Sequence, residues 1–266
     1  MTGASGQRSF GITGDLPAAI VREVAQAAQA AGYDRLWIND DPGGEALVAL
    51  AVAAAATTTI GLAAGLLPLD RWPPQRITAR SAELELPVER LTLGVGSGVG
   101  ASGLARVRDG VEALRGLTRA KIVVGALGPK MCELAGAVAD GVLLDWPTPA
   151  HAHASAALVG RSAASAGRAQ PPVAGYVFTA LGAAALQRLQ ADGEHYLSVP
   201  AYASHFRRMS AAPADAWVAG DTAGQIKHGL GHYGPALDET VVRACVAEPT
   251  VNAHLHLLAA AAPARR

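Results

Sequence analysis

Apolar runs of strand length alternate with helix-length patterns along almost the whole chain, and this alternation restricts the fold more than any other feature. The runs fall near residues 9–13, 35–39, 60–66, 91–95, 122–126, 141–144, 173–178 and 240–245. A half-exposed strand would alternate apolar and polar residues; a nearly continuous apolar run predicts a parallel strand covered on both faces. The intervening segments read as helices. LPAAIVREVAQAAQAAG, at 16–32, has Pro17 near its start and Gly32 as its stop signal. Eight such units joined by right-handed crossovers predict an α/β chain folded as a single (β/α)8 TIM barrel, one domain over residues 1–266. The segment from about 187 to 223 is the least regular, and is expected to be an insertion between strands seven and eight.

Composition narrows the partners. Lys and Arg total 22 against 22 Asp and Glu, so no net field draws the chain to nucleic acid or to an anionic membrane surface. Residues 46–69 carry no charge and are long enough to span a bilayer, but Thr57, Thr58 and Thr59 with Gly61, Gly65 and Pro68 divide them into a helix and a buried strand. The helix part, ALVALAVAAAA, is apolar all round and needs cover on both sides, which a second subunit would supply; a homodimer is therefore expected. Cys132 and Cys245 lie in apolar stretches without metal or redox spacing, and the first residues lack a signal-peptide core. A reduced, cytoplasmic protein is the expectation.

In a barrel of this kind the chemistry sits where strands end. Those ends read NDDPGG at 39–44, AGLLP at 64–68, GVGSG at 94–98, ALGPK at 126–130 and DWPTP at 145–149. A helix starting after Leu127-Gly128 leaves its first N–H groups unpaired and favours phosphate. Gly128 permits close approach, Pro129 suits the first turn and Lys130 adds a charge; the alternative is an ordinary strand-to-helix turn. GSGVGA, at 96–101, imitates a dinucleotide fingerprint but lacks the acidic residue about 20 positions on. His228 and His232 are four apart without a third ligand nearby, in a glycine-rich stretch expected to be a solvated loop. No metal is expected.

The ordered set GYDRLWINDD, ALVALAVAAAATTTIGLAAGLLPL, RLTLGVGSG and VVGALGPKMCELAGAVADGVLLDWPTP resembles the bacterial-luciferase-like family, and within it the deazaflavin-dependent branch that includes methylenetetrahydromethanopterin reductase. The resemblance implies a deazaflavin F420, or in the alternative FMN, laid across the barrel mouth. Its phosphate would meet Leu127, Gly128 and Lys130, with a non-prolyl cis peptide at Gly65-Leu66 behind the ring. Gly96 and Ser97 would pass beside the ring, Trp146 would wall the pocket, and Asn39, Asp40, Ala126 and Pro129 complete the expected cofactor set.

Three departures from the family pattern bear on chemistry. Asp40-Asp41 stands where relatives often have Asp-His, and Ser97 where some have an acid. Asp41 is the candidate acid or base, because a carboxylate in a partly dry pocket holds its proton more tightly; the alternative is that Asp40 and Asp41 cap the following turn. The usual excursion after strand four is missing, so the substrate lid is expected to be absent too. The implied activity is an oxidoreductase passing a hydride between F420 and a small organic substrate. An FMN-dependent monooxygenase or reductase, and a non-catalytic cofactor-binding homologue, are the alternatives.

Overall fold

The computed structural model describes residues 6–264 except Pro42 and Ala101, so the last residue of the 96–101 glycine run lies outside the described residues. In chain order the elements are β1 (Gln7–Thr13), α1 (Ala18–Ala30), β2 (Arg35–Asn39), α2 (Ala46–Ala56), β3 (Gly61–Pro68), α3 (Pro74–Glu83), β4 (Leu91–Gly96), α4 (Gly103–Leu117), β5 (Lys121–Ala126) and α5 (Pro129–Val138). There follow β6 (Gly141–Asp145), α6 (Pro149–Ser165), β7 (Val173–Leu181), α7 (Ala183–Ser198), α8 (Pro200–Met209), β8 (Trp217–Gly220), α9 (Ala223–Gly231), β9 (Glu239–Cys245) and α10 (Val251–Ala260).

The strands run in the order β6-β5-β4-β3-β2-β1-β9-β7, and pairing of β6 with β7 closes an eight-stranded parallel barrel. The eight expected strands are its staves. β8 is a ninth strand: β6 pairs with β7 from Val173 to Tyr176, and β8 takes up the same edge from Phe178 to Leu181. The stretch from about 187 to 223 is therefore not irregular; it contains most of α7, all of α8 and β8. Its signal is weak because α7 buries only Ala185, Leu189 and Gly193, α8 only His205 and Phe206, and β8 has four residues. His228 and His232 likewise stand on α9 and its cap rather than in a loop.

Side chains fill the barrel in the manner of a core. Trp37, Ala63, Val123, Leu143, Tyr176 and Val241 belong to the interior cluster, while a larger apolar layer lies between strands and helices. At the end where strands begin, Glu239 accepts from Trp37 Nε1 at 2.7 Å and pairs with Arg35, which ties β2 to β9 across the floor. The uncharged 46–69 stretch divides into α2 and β3, and among the described residues no helix is long and apolar enough to cross a membrane. Only residues 97–102 separate β4 from α4, so the connection after the fourth strand is short as expected.

Candidate active site

A cavity of about 440 Å³ opens where β2 to β6 end. Its back is made by the cis peptide between Gly65 and Leu66, where the β3–β4 register shifts. Gly65 is required there, since a Cβ would stand 2.3 Å from Tyr176 Oη and 2.7 Å from Trp37 Cε3. Tyr176 Oη in turn donates to Gly65 O at 3.0 Å. Leu66 then lies over glycines: a Cβ at Gly125 would fall 2.0 Å from Leu66 Cδ1, so β5 must present backbone alone at that point.

Of the expected cofactor residues, Asn39, Asp40, Gly65, Leu66, Gly96, Ser97, Ala126, Leu127 and Gly128 border this cavity together. Pro129, Lys130, Trp146 and Asp41 do not. Pro129 and Lys130 are exposed, and Lys130 faces a different surface hollow. The charge at the corner comes instead from Arg208 of α8, which donates to Leu127 O at 3.1 Å and stands 3.4 Å from where a Gly128 Cβ would be. Trp146 is fully buried beneath the wall, stacked on Phe178 at 4.0 Å. Asp40 serves structure as well as lining: it accepts from Ala46 N, the first residue of α2, and from Trp72 Nε1 and Arg71. Asp41 turns to the adjoining cavity, where burial raises its pKa and the Arg243 charge partly opposes that rise.

One side of the mouth is bordered by a layer that comes from the β7–β8 connection, a contribution the sequence did not lead us to expect. Tyr196 of α7 and Tyr202 of α8 border the cavity. His205, fully buried, places Nδ1 2.8 Å from Leu127 O and Nε2 3.2 Å from Trp146 O, and the hydrogen bond to Leu127 ties α8 to the end of β5. The missed signal is the aromatic spacing of EHYLSVPAYASHFRRM in an aromatic-poor chain.

Asp145, also missed, has the most altered environment at the site. Tyr202 Oη donates to its Oδ2 at 2.7 Å, while Oδ1 is buried without a partner. Burial pushes its carboxyl up to about 6, against the Tyr202 hydrogen bond and the Arg243 charge. Asn39 Oδ1 is a second buried acceptor without a partner at the same cavity. Two unanswered acceptors and a cationic corner fit a ligand with N–H donors at one end and an anion at the other.

A family model described as luciferase-like monooxygenase matches residues 4–121. The chain is 29% identical to 5,10-methylenetetrahydromethanopterin reductase from Archaeoglobus fulgidus over 46% of this chain and 48% of that one. It is 26% identical to the enzyme of that name from Methanolobus tindarius, over 57% and 58% respectively. The matched region thus spans about half the length of these relatives. Among solved structures, the coenzyme F420-dependent tetrahydromethanopterin reductase from Methanopyrus kandleri superposes with a TM-score of 0.76 at 16% identity, covering 96% of this chain and 97% of that one. An F420-dependent secondary alcohol dehydrogenase bound to an F420-acetone adduct gives 0.79 at 14% identity, over 97% and 99%. The FMN-bound oxygenating constituent of 3,6-diketocamphane monooxygenase from Pseudomonas putida gives 0.69 at 11%, over 97% of both chains. At these identities the structural likeness speaks for the barrel alone.

Proposed function

We propose that this chain, whose residues 4–121 match the luciferase-like monooxygenase model, is an oxidoreductase that binds the deazaflavin F420 and passes a hydride to or from a small organic substrate. The observation that carries this reading is the pair of unpartnered acceptors, Asn39 Oδ1 and Asp145 Oδ1, on a cavity whose far corner is the start of α5. A deazaflavin offers an N–H edge to such acceptors and a phosphate to such a corner. When bound, it supplies the hydride donor or acceptor. The likeness to two methylenetetrahydromethanopterin reductases, taken with a superposed tetrahydromethanopterin reductase described as coenzyme F420-dependent, supports F420 over FMN.

The chain's own residues hold, orient and protonate. Leu66 would back the cofactor from the cis bulge, and the first turn of α5 with Arg208 would hold its phosphate. Tyr196 and Tyr202 would shield one side of the bound cofactor at the mouth. Asp145, its carboxyl raised to about 6, is mostly ionised at neutral pH, so its Oδ1 would accept the cofactor's N–H and could take up and return a proton, the acid-base work left open by the missing His of the second strand. The same reading makes the protein a cytoplasmic homodimer joined through the outer side of α2, where Val48 is 38% exposed. A monomer mass by light scattering would remove the dimer.

The cofactor test is a side-by-side fluorescence titration with F420 and FMN. Binding of F420 with FMN at least tenfold weaker is the expected result. Preference for FMN would overturn the hydride-transfer reading in favour of oxygen chemistry. Binding of neither would leave a barrel whose corner is structural.

A further inference from the structure

A second cavity, of about 480 Å³, adjoins the first on the side of β1 and β9, and Tyr196 borders both. Arg243 of β9 faces it and is only 6% exposed. This guanidinium makes one long hydrogen bond, Nη1 to Ala244 O at 3.4 Å, and its Nε is buried without a partner. Among the described residues it enters no ion pair. A guanidinium does not shed its proton, so it cannot escape burial by neutralising as a lysine would.

The group is also held in place. Its stem packs beside Gly11 on β1, where a Cβ would lie 3.4 Å from Arg243 Cδ. Its Cζ lies 5.6 Å from the ring centroid of Phe178, which is itself stacked on Trp146. Asp41 and Asp145 feel its charge, but no carboxylate around it forms an ion pair with it. Asp192 pairs with Arg188 at 2.9 Å, Asp15 is at the exposed rim, and Asp41 accepts from Gly14 N at 3.4 Å. His254 Nδ1 faces Thr250 O at 2.8 Å, Cys245 Sγ donates to Asp192 Oδ2 at 3.6 Å, and His195 completes the titratable lining. One fixed, unanswered positive charge framed by carboxylates suits a monoanion and disfavours a dianion.

We propose that Arg243 anchors the carboxylate of a small organic acid, and that this acid is the substrate class of the adjoining site. The word substrate rests on the oxidoreductase reading; binding of the acid does not, because it is measured without cofactor. The planar two-oxygen face of a carboxylate matches the free Nε edge of the guanidinium.

The experiment titrates the purified protein with acetate, glycolate and inorganic phosphate, followed by calorimetry and by the ¹⁵N–¹H resonance of Arg Nε. Acetate and glycolate should bind saturably and move one Arg Nε resonance, the one missing from Arg243→Lys. Arg243→Met should lose at least tenfold in acetate affinity, and F420 affinity should stay within twofold of the unsubstituted protein. Binding of phosphate but of neither carboxylate would overturn the assignment. So would unchanged carboxylate affinity in Arg243→Met, or an Arg243 resonance that no anion moves in the unsubstituted protein, which needs no variant to fold. Loss of F420 binding with carboxylate binding intact would overturn the cofactor reading and leave this site standing.

Discussion

Gly128 shows how much one side chain decides at the cofactor corner. Its φ of −128° is ordinary extended backbone, so other residues fit it, and a Cβ would make only a 3.4 Å contact with Arg208 Nη2. Gly128→Ala should therefore leave cofactor affinity within about twofold. Gly128→Glu should not: the new carboxylate would engage Arg208 and repel a phosphate at the first turn of α5. A loss of at least about tenfold, or ~1.4 kcal/mol, is expected in a fluorescence titration. Equal affinity for the Glu and Ala variants would take the phosphate away from this corner. The position was legible from the Gly-Pro step, because a helix start after a strand end is a local pattern. The charge beside it was not. Lys130 is next in sequence but exposed, whereas Arg208 arrives from a helix 80 residues later.

At the scale of elements, α8 is the part of the site that sequence periodicity conceals. It buries only His205 and Phe206, yet three side chains fasten it to strand ends: Tyr202 to Asp145, His205 to the carbonyl of Leu127, and Arg208 to the same Leu127 O. Burial lowers the His205 pKa, with the two carbonyls opposing, so at neutral pH the ring is uncharged and donates one hydrogen, along the shorter contact to Leu127. His205→Ala would remove one of the two donors on that carbonyl, Arg208 being the other, together with a fully buried ring, at a cost of about 1–3 kcal/mol. Local opening of α8 should rise accordingly. In hydrogen exchange, α8 amides should speed up about tenfold or more while β3 and β4 amides do not change. Unchanged α8 exchange would mean that packing of Phe206 and Tyr196 around Trp146 holds the cover without the histidine.

For the whole molecule, barrel closure was legible because each stave is buried on both faces and so reads as an apolar run; WVAG, four residues on an edge already begun by β6, leaves no such run. Asp145 was hidden for a related reason: an acid ending an apolar strand looks like a solvated terminus until Tyr202 folds over it. Its burial has a consequence for global stability. The Asp145 carboxyl is raised from 3.8 to about 6, so between these values the folded chain keeps a proton that the unfolded chain has lost, and stability falls as pH rises through that window. His151 acts oppositely. Burial, with His205 and Arg208 nearby, pushes it from 6.5 down to about 4, so stability from this group rises with pH through the same range. The two trends offset each other and flatten the native profile. Asp145→Asn keeps an acceptor for Tyr202 but removes the falling trend. Its melting temperature should therefore climb more steeply than that of the unsubstituted protein from pH 4 to pH 6.5. Relative to pH 4, the variant should gain on the order of 2–3 kcal/mol by pH 7. Parallel melting curves across the window would show that Asp145 titrates like an exposed carboxylate, and would remove it as the proton carrier of the site.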